Sequence, residues 1–331
     1  MTTTTDSLVA SLEASLPTAL TLQQLSLALA QGVMAAYDAY NNGSNNTPVL
    51  LGYQMLTPIY VWESDPNISP FARLAEADAA ARTKKQAAAY CSPPPTTGEP
   101  SFGKQLFGFS AVANDLSHNI VVLRGTVTLE EAGYDLLGWD HNTPCLLPSS
   151  GAGTQHPYGN VNSALYDFYT RSDAGLVTSL AASFQAAVRA IAQANPDAPW
   201  YVAAHSLGGP LATLGALDAY LSGSYTGSSK QPVVITFGGL HLGDQAFATA
   251  YQAELPLGLR FANLCDFVPS MVSLAPNTPN DPYVHVGVPA TFVWQTWDDW
   301  GNHSMECIYL QMVQSLMYWE LLKFGPRTYP Q

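Results

Sequence analysis

The sequence predicts an α/β protein with a mainly parallel central sheet and helices on both faces. Three observations carry that prediction. From about residue 173 onward, helical segments and apolar β-prone segments alternate in short succession, as parallel strands joined by crossover helices do. A buried-type strand, Trp200-Tyr201-Val202-Ala203, runs straight into the tight turn Ala204-His205-Ser206-Leu207-Gly208 and then into a helix. The chain has 331 residues, 47% of them apolar, and a chain of that length can bury roughly three quarters of its unfolded surface. No composition break divides it, so residues 1–331 read as a single domain with an N-terminal helical extension at about 1–48.

The elements follow in order. Ala14 to Tyr37 is uncharged and long enough for a membrane span, but Pro17, Gln23, Gln24 and Gln31 make it too polar for a bilayer core. Its Leu22, Leu25, Leu29, Val33 and Ala36 fall at the spacing of an amphipathic helix packed on a core. A loop follows at 41–48, then the β-prone stretch Val49 to Trp62. Phe71 to Tyr90 reads as an Ala-rich helix stopped by Cys91-Ser92-Pro93-Pro94-Pro95. Phe107 to Ala113 and Asn119 to Leu123 read as paired strands, with His118 solvated in the turn between them. Leu147 to Asn160, rich in Pro, Gly and Ser, reads as a loop. Beyond it come a helix over Asp173 to Ala194, the strand at Trp200, and a helix from Leu207 to Tyr220. The strand Val233 to Phe237, the helix Gln245 to Glu254 and the strand Leu259 to Asn263 complete the alternation.

Charge removes several function classes. Twelve Lys and Arg against 25 Asp and Glu give a net charge of −13, with no basic footprint for nucleic acid. Anionic headgroups are weakly attracted, whereas neutral lipid is met through apolar area. The start, Met1 to Asp6, has neither the basic nor the apolar region of a secretory leader, which fits a cytoplasmic protein or a mature secreted form. The cysteines, Cys91, Cys145, Cys265 and Cys307, form no C-x-x-C pair and permit either two disulfides or buried thiols. Asn42, Asn45, Asn67 and Asn302 fit glycosylation sequons. No H-E-x-x-H or Cys/His spacing suggests a metal and no Gly-rich fingerprint suggests a nucleotide, so no cofactor is expected.

The turn at Ser206 points to nucleophilic chemistry. A small-x-Ser-x-Gly turn between a buried strand and a helix thrusts the serine Oγ clear of the backbone, and bulk at Ala204 or Gly208 would clash there. The helix start behind it offers free N–H groups and a positive dipole end to a developing anion. A serine nucleophile needs a base and a group to orient that base, in the chain order Ser, acid, His for such a turn. Asp266 directly follows a strand at the sheet edge where Ser206 sits; Asp281, Asp298 and Asp299 are the rival acids. Of seven histidines, His303 follows Asp266 and lies in a loop before an apolar run, and His285 is its rival. His205, next to Ser206, is expected to point away from it and to bond structurally.

Several segments in order resemble one family. Ile120-Val121-Val122-Leu123-Arg124-Gly125-Thr126 resembles a strand ending in Arg-Gly-Ser/Thr, and Tyr134-Asp135-Leu136 the segment after it. Val234 to Gly238, Gly243-Asp244-Gln245-Ala246-Phe247 and Asn263-Leu264-Cys265-Asp266-Phe267-Val268-Pro269 continue the likeness. Tyr283 to Gly287 and Asn302-His303-Ser304 resemble the two late histidine segments. Residues from about 105 to 310 thus resemble the class 3 lipases, α/β-hydrolases of the filamentous-fungal triacylglycerol lipase type. A His-x-Gly-Phe segment of that family is poorly kept near 159–162.

The resemblance implies an α/β-hydrolase fold and a serine esterase or lipase acting on acylglycerols or other apolar esters, with a lipid–water interface as one setting. It implies Ser206, Asp266 and His303 as the catalytic set. The oxyanion would be held by the N–H of Leu207 and by Thr126. Arg124 is expected to be a structural ion-pair partner and His285 a structural residue. Residues 127–139, with Leu129, Ala132, Leu136, Leu137 and Trp139 on one side, would form a lid; a fixed amphipathic helix is the other reading. A lipase-like binding protein without catalysis, and a feruloyl or polyester esterase of the same fold, are the alternatives.

Overall fold

The computed structural model describes residues 5–17, 20–42, 47–63, 103–126, 142–148, 155–172, 178–227, 231–270, 283–298 and 300–324. The expected helix at 71–90, Cys91 and most of the 63–104 stretch lie outside the described residues, as do the expected lid at 127–139, His141, Asp281 and Asp299.

Two helices open the chain, α1 (Thr5–Ala14) and α2 (Leu22–Asn41). Thr21 caps α2 in a reciprocal box: its hydroxyl accepts the Gln24 N–H, and the Gln24 carboxamide oxygen accepts the Thr21 N–H. Strands β1 (Tyr53–Glu63), β2 (Gly103–Ala113) and β3 (Asn119–Leu123) pair antiparallel in succession. Strands β4 (Asn142–Pro148) and β5 (Gln155–Asn162) form a separate antiparallel ribbon. Helices α3 (Ser163–Thr170) and α4 (Leu180–Ala194) lead to β6 (Trp200–His205), then α5 (Gly208–Leu221) and β7 (Val233–Phe237). Helix α6 (Gln245–Glu254), β8 (Gly258–Asn263) and β9 (Val288–Phe292) follow, and short helical turns lead to β10 (Lys323–Phe324).

The main sheet runs β1-β2-β3-β6-β7-β8-β9-β10. From β3 to β9 every neighbour is parallel, in the register Val122 with Ala203, Ala203 with Ile235 and Ile235 with Leu259. Successive side chains of a strand point to opposite faces, so each strand feeds two cores. Ile120, Val122, Tyr201, Ala203, Ile235 and Phe261 face α2, whose Leu25, Leu29, Val33 and Ala36 are fully buried. Val121, Leu123, Val202, Ala204 and Val234 face α4 and α5 with Phe184, Val188 and Leu211. Burying each such side chain contributes about 1.5–3 kcal/mol, which fixes the strands beneath the site. Helix α5 is buried on nearly all sides, so its start is held between two layers. This mixed sheet, parallel at its centre and covered by helices on both faces, is an α/β-hydrolase fold.

Three expectations need correction. The stretch 147–160 is not all loop: Leu147, Pro148 and 155–160 lie in the β4–β5 ribbon. Its prolines and glycine read as loop residues, yet a two-stranded ribbon consists of edges, where proline is tolerated, and buried Cys145, Leu147, Tyr158 and Val161 anchor it. The helix expected from Asp173 begins at Leu180, where the Ser179 hydroxyl accepts the Ala182 N–H. His118 is buried, not solvated: its Nε2 meets the Tyr53 hydroxyl at 2.6 Å and its Nδ1 the Ser117 hydroxyl at 2.8 Å.

Candidate active site

The strand β6 ends in the turn that carries Ser206. Ser206 has φ +55°, a left-handed conformation that costs an L-residue roughly 1–2 kcal/mol. Backbone bonds hold it there: the Ser206 N–H donates to the Phe237 carbonyl at 3.0 Å, and the Gly209 N–H donates to the Ser206 carbonyl at 2.9 Å. The neighbouring backbones approach too closely for side chains. A Cβ at Gly125 would lie 2.7 Å from the Ser206 Cβ and 2.4 Å from the Tyr37 hydroxyl, and a Cβ at Gly208 would lie 2.4 Å from the Arg124 carbonyl oxygen. The end of β3, with Gly125 and then Thr126, is thereby pressed against the serine turn.

Asp266 and His303 come from two later loops at the same end of the sheet. Asp266 closes a turn after β8, its N–H donating to the Asn263 carbonyl at 3.0 Å. Its Oδ1 accepts the Val268 N–H at 2.9 Å, and its Oδ2 accepts the Tyr309 hydroxyl at 2.6 Å. His303 sits in a short 3-10 turn, its N–H donating to the Trp300 carbonyl. Its Nδ1 lies 2.7 Å from Asp266 Oδ2 and its Nε2 lies 2.8 Å from Ser206 Oγ. All three side chains are buried. A carboxylate can only accept, so Nδ1 carries the proton and Nε2 is left as the acceptor facing the serine hydroxyl.

Asn263 ties the two loops together. Its amide donates to the carbonyls of Trp294 and Asn302, and its carbonyl oxygen accepts the N–H groups of Cys265 and Trp294. Asn302 is fully engaged as well, receiving Thr296 N–H and donating to the Gln295 side chain. At 1% exposure Asn302 is a buried loop anchor, which removes its sequon as a glycosylation site of the folded chain.

His205 bonds structurally, as expected. Its Nε2 meets the His303 carbonyl at 2.9 Å and its Nδ1 the Tyr37 hydroxyl at 2.8 Å, while the Gly125 N–H donates to that same hydroxyl at 2.7 Å. Burial, then the neighbouring His303, hold its pKa well below the usual histidine value. Burial also pushes the Tyr309 hydroxyl well above its ordinary pKa, aided by Asp266, so it stays a donor. Arg124, fully buried, donates to the carbonyls of Leu106 and Gly125 and lies over the Tyr40 and Phe107 rings. His285 does not approach the serine; it stacks on His241 and meets the Pro269 carbonyl. Cys307 is disulfide-bonded, and Cys145 and Cys265 are free thiols. Among the described residues no helix is long and apolar enough to cross a membrane.

The Lipase (class 3) family model matches residues 120–275, the segment that holds β3, the serine turn and the Asp266 loop. That segment is similar to the class 3 lipases. Among solved structures the chain is similar to a triacylglycerol lipase from Penicillium expansum, at 15% identity over 82% of this chain and 81% of that one, with a TM-score of 0.43. It is similar to lipase II from Rhizopus niveus, at 21% identity over 72% and 84%, with a TM-score of 0.44. It is also similar to the Rhizomucor miehei lipase propeptide complex, at 23% identity over 56% and 51%, with a TM-score of 0.40. The chain spans about half the length of that last structure. No curated protein matches it.

In the matched segment and its flanks, Ser206, Asp266 and His303 are in one line of hydrogen bonds, with Thr126 and Leu207 on the segments beside the serine. Sequence reasoning missed Tyr37, Asn263 and Tyr309 as parts of the site. A phenol inside the apolar run 308–316, and another on α2, were the available signals.

Proposed function

We propose that this chain is a carboxylic ester hydrolase acting on acylglycerols or similar apolar esters through a serine acyl-enzyme. The observation that supports this best is His303 bridging Ser206 Oγ and Asp266 Oδ2 through its two ring nitrogens at 2.8 and 2.7 Å. In this reading His303 Nε2 takes the Ser206 proton as Oγ attacks the ester carbonyl. Asp266 fixes the tautomer and stabilises the imidazolium that forms. The alcohol leaves with the proton from His303, and water, activated by the same imidazole, then releases the acid.

The tetrahedral oxyanion is assigned to the Leu207 N–H and to Thr126. Leu207 stands at the start of α5, and its N–H makes no backbone hydrogen bond among the described residues outside helices and strands. Losing one such donor costs about 10²–10³ in kcat. An apolar substrate is supported by Leu264, Phe267, Val293 and Trp297, which are exposed on the two loops that carry Asp266 and His303. The segment 127–139 is the proposed lid.

Hydrolysis of p-nitrophenyl butyrate tests the reading. Turnover by the wild-type chain, lost in Ser206→Ala and in His303→Ala, is the expected result. Equal turnover in either variant overturns the assignment, and a folded wild-type chain without turnover points to a binding protein of the same fold. Rate measured across the solubility limit of an ester tests the lid: a jump is expected there, and a smooth curve removes it.

A further inference from the structure

Two tyrosines of α2 reach the segment that carries Thr126. Tyr37 and Tyr40 stand three positions apart, so they lie on one face of the helix. The Gly125 N–H donates to the Tyr37 hydroxyl at 2.7 Å, and the Arg124 Nη1 donates to the Gly125 carbonyl at 2.7 Å. The Tyr40 ring lies against that guanidinium, 4.3 Å from its carbon, and the Arg124 Nε donates to the Leu106 carbonyl of β2 at 2.8 Å. Both peptide planes that flank Gly125 are thereby pinned, one by its N–H and the other by its carbonyl. A glycine needs that control, because its backbone takes more conformations than that of any other residue. A trans peptide carries its carbonyl and the following N–H on opposite edges. Holding the Gly125 carbonyl on Arg124 therefore turns the Thr126 N–H away from the guanidinium.

The Tyr37 hydroxyl has a second bond, and its direction is fixed. The oxygen lies 2.8 Å from His205 Nδ1, while His205 Nε2 lies 2.9 Å from the His303 carbonyl. Burial, then the neighbouring His303, keep the His205 ring neutral near pH 7. The carbonyl claims the one ring proton for Nε2, and Nδ1 is left to accept. Tyr37 is thus an acceptor toward Gly125 and a donor toward His205, two roles that a ring without a hydroxyl cannot fill. The fit is close, since a Cβ at Gly125 would fall 2.4 Å from this hydroxyl and 2.7 Å from the Ser206 Cβ. One hydroxyl of an N-terminal helix therefore joins the strand end beside the serine to the serine turn itself.

We propose that Tyr37 is a positioning residue of the oxyanion pocket: its hydroxyl fixes Gly125 against the serine turn so that the next N–H, that of Thr126, is aimed where negative charge develops. Tyr37 itself touches neither substrate nor oxyanion. The proposal rests on the hydrolase reading above. Donors set in place beforehand act on the tetrahedral state rather than on the bound ester, so the loss of this hydroxyl falls on kcat.

Tyr37→Phe in the whole chain keeps the ring and removes both hydrogen bonds. The expected result with p-nitrophenyl butyrate is a kcat lowered about tenfold with KM little changed. Phenylboronic acid supplies a readout that a merely structural role would not move, because its boron takes up the Ser206 Oγ and presents a tetrahedral oxygen to the same pocket. Its Ki should rise by the factor by which kcat/KM falls, and the acid limb of the kcat/KM profile should stay in place. An unchanged kcat, a lowered kcat with an unchanged Ki, or a displaced acid limb overturns the proposal; the last would route the effect through His205 to the base. A wild-type chain without turnover refutes the hydrolase reading and this proposal with it, whereas an active wild type with an equally active Tyr37→Phe refutes this proposal alone. Should Tyr37→Phe fail to fold, crystals of the wild-type chain with the boronate decide. A boronate oxygen within hydrogen-bond distance of the Thr126 N–H, with Tyr37 still on Gly125, supports the proposal, and any other placement of either overturns it.

Discussion

The rings of His205 and His303 stack with centroids 4.6 Å apart, and His205 Nε2 donates to the backbone carbonyl of His303 at 2.9 Å. A carbonyl only accepts, so Nε2 bears the proton and Nδ1 accepts from Tyr37. The residue before the proposed nucleophile thus positions the proposed base through its backbone. His205→Asn is expected to lower kcat about tenfold with KM little changed, since one net hydrogen bond is worth about 1–1.5 kcal/mol. Steady-state kinetics on a soluble ester reads this, and an unchanged kcat refutes the positioning role.

Tyr309 donates to the same oxygen of Asp266 that His303 uses. Removing that donor leaves the carboxylate oxygen with one partner fewer, and a hydrogen bond to a charged group is worth about 1.5–3 kcal/mol. Tyr309→Phe should lower kcat/KM by about tenfold or more on a soluble ester. An unchanged kcat/KM would count against this.

Ser206 is held at φ +55°, where glycine is at ease and alanine is not. Both Ser206→Gly and Ser206→Ala remove the hydroxyl, so their comparison isolates the backbone. Ser206→Gly should be more stable than Ser206→Ala by about 1 kcal/mol in urea unfolding. The reverse order would mean that the turn is relaxed in solution.

Stability should depend on pH through the buried imidazoles. An unfolded histidine titrates near pH 6.5, whereas burial and Arg260 hold folded His241 down at about 4. Between those values the unfolded chain binds more protons, so stability falls as pH drops from about 6.5 to about 4. His241→Asn should flatten part of that slope in urea midpoints measured at several pH values; an identical slope would rule His241 out as a contributor.

Trp297 is 90% exposed at φ +62°, and Val293 nearby is 60% exposed, both on the strand-to-turn segment before His303. Asn tolerates this backbone and removes the apolar area. Trp297→Asn should weaken adsorption to neutral triacylglycerol droplets while leaving hydrolysis of a soluble ester unaltered. Equal adsorption would remove Trp297 from the interface.

What could be read in the sequence was what is local in it. The strand Val233–Phe237 and the helix Gln245–Glu254 were legible to the residue, because an unbroken apolar run and an Asp244 cap mark them. The serine turn was legible for the same reason: strand, small residues and helix are contiguous. The β4–β5 ribbon was hidden because Pro144, Pro148, Pro157 and Gly159 carry loop chemistry, and only burial beside α3 and α6 decides otherwise. Tyr37 and Tyr309 matter through partners 88 and 43 positions away, Gly125 and Asp266, and no periodicity reports such meetings.

The position of Tyr37 on α2 has a practical consequence for dissecting the molecule. Its oxygen accepts a hydrogen bond from the Gly125 N–H and donates one to His205 Nδ1, though it lies upstream of the family segment at 120–275. Trimming the first forty-odd positions to obtain a minimal expression unit would leave two polar groups stranded beneath the serine and strip the lining from one side of the sheet. Any recombinant shortening intended to preserve turnover has to start ahead of Thr21.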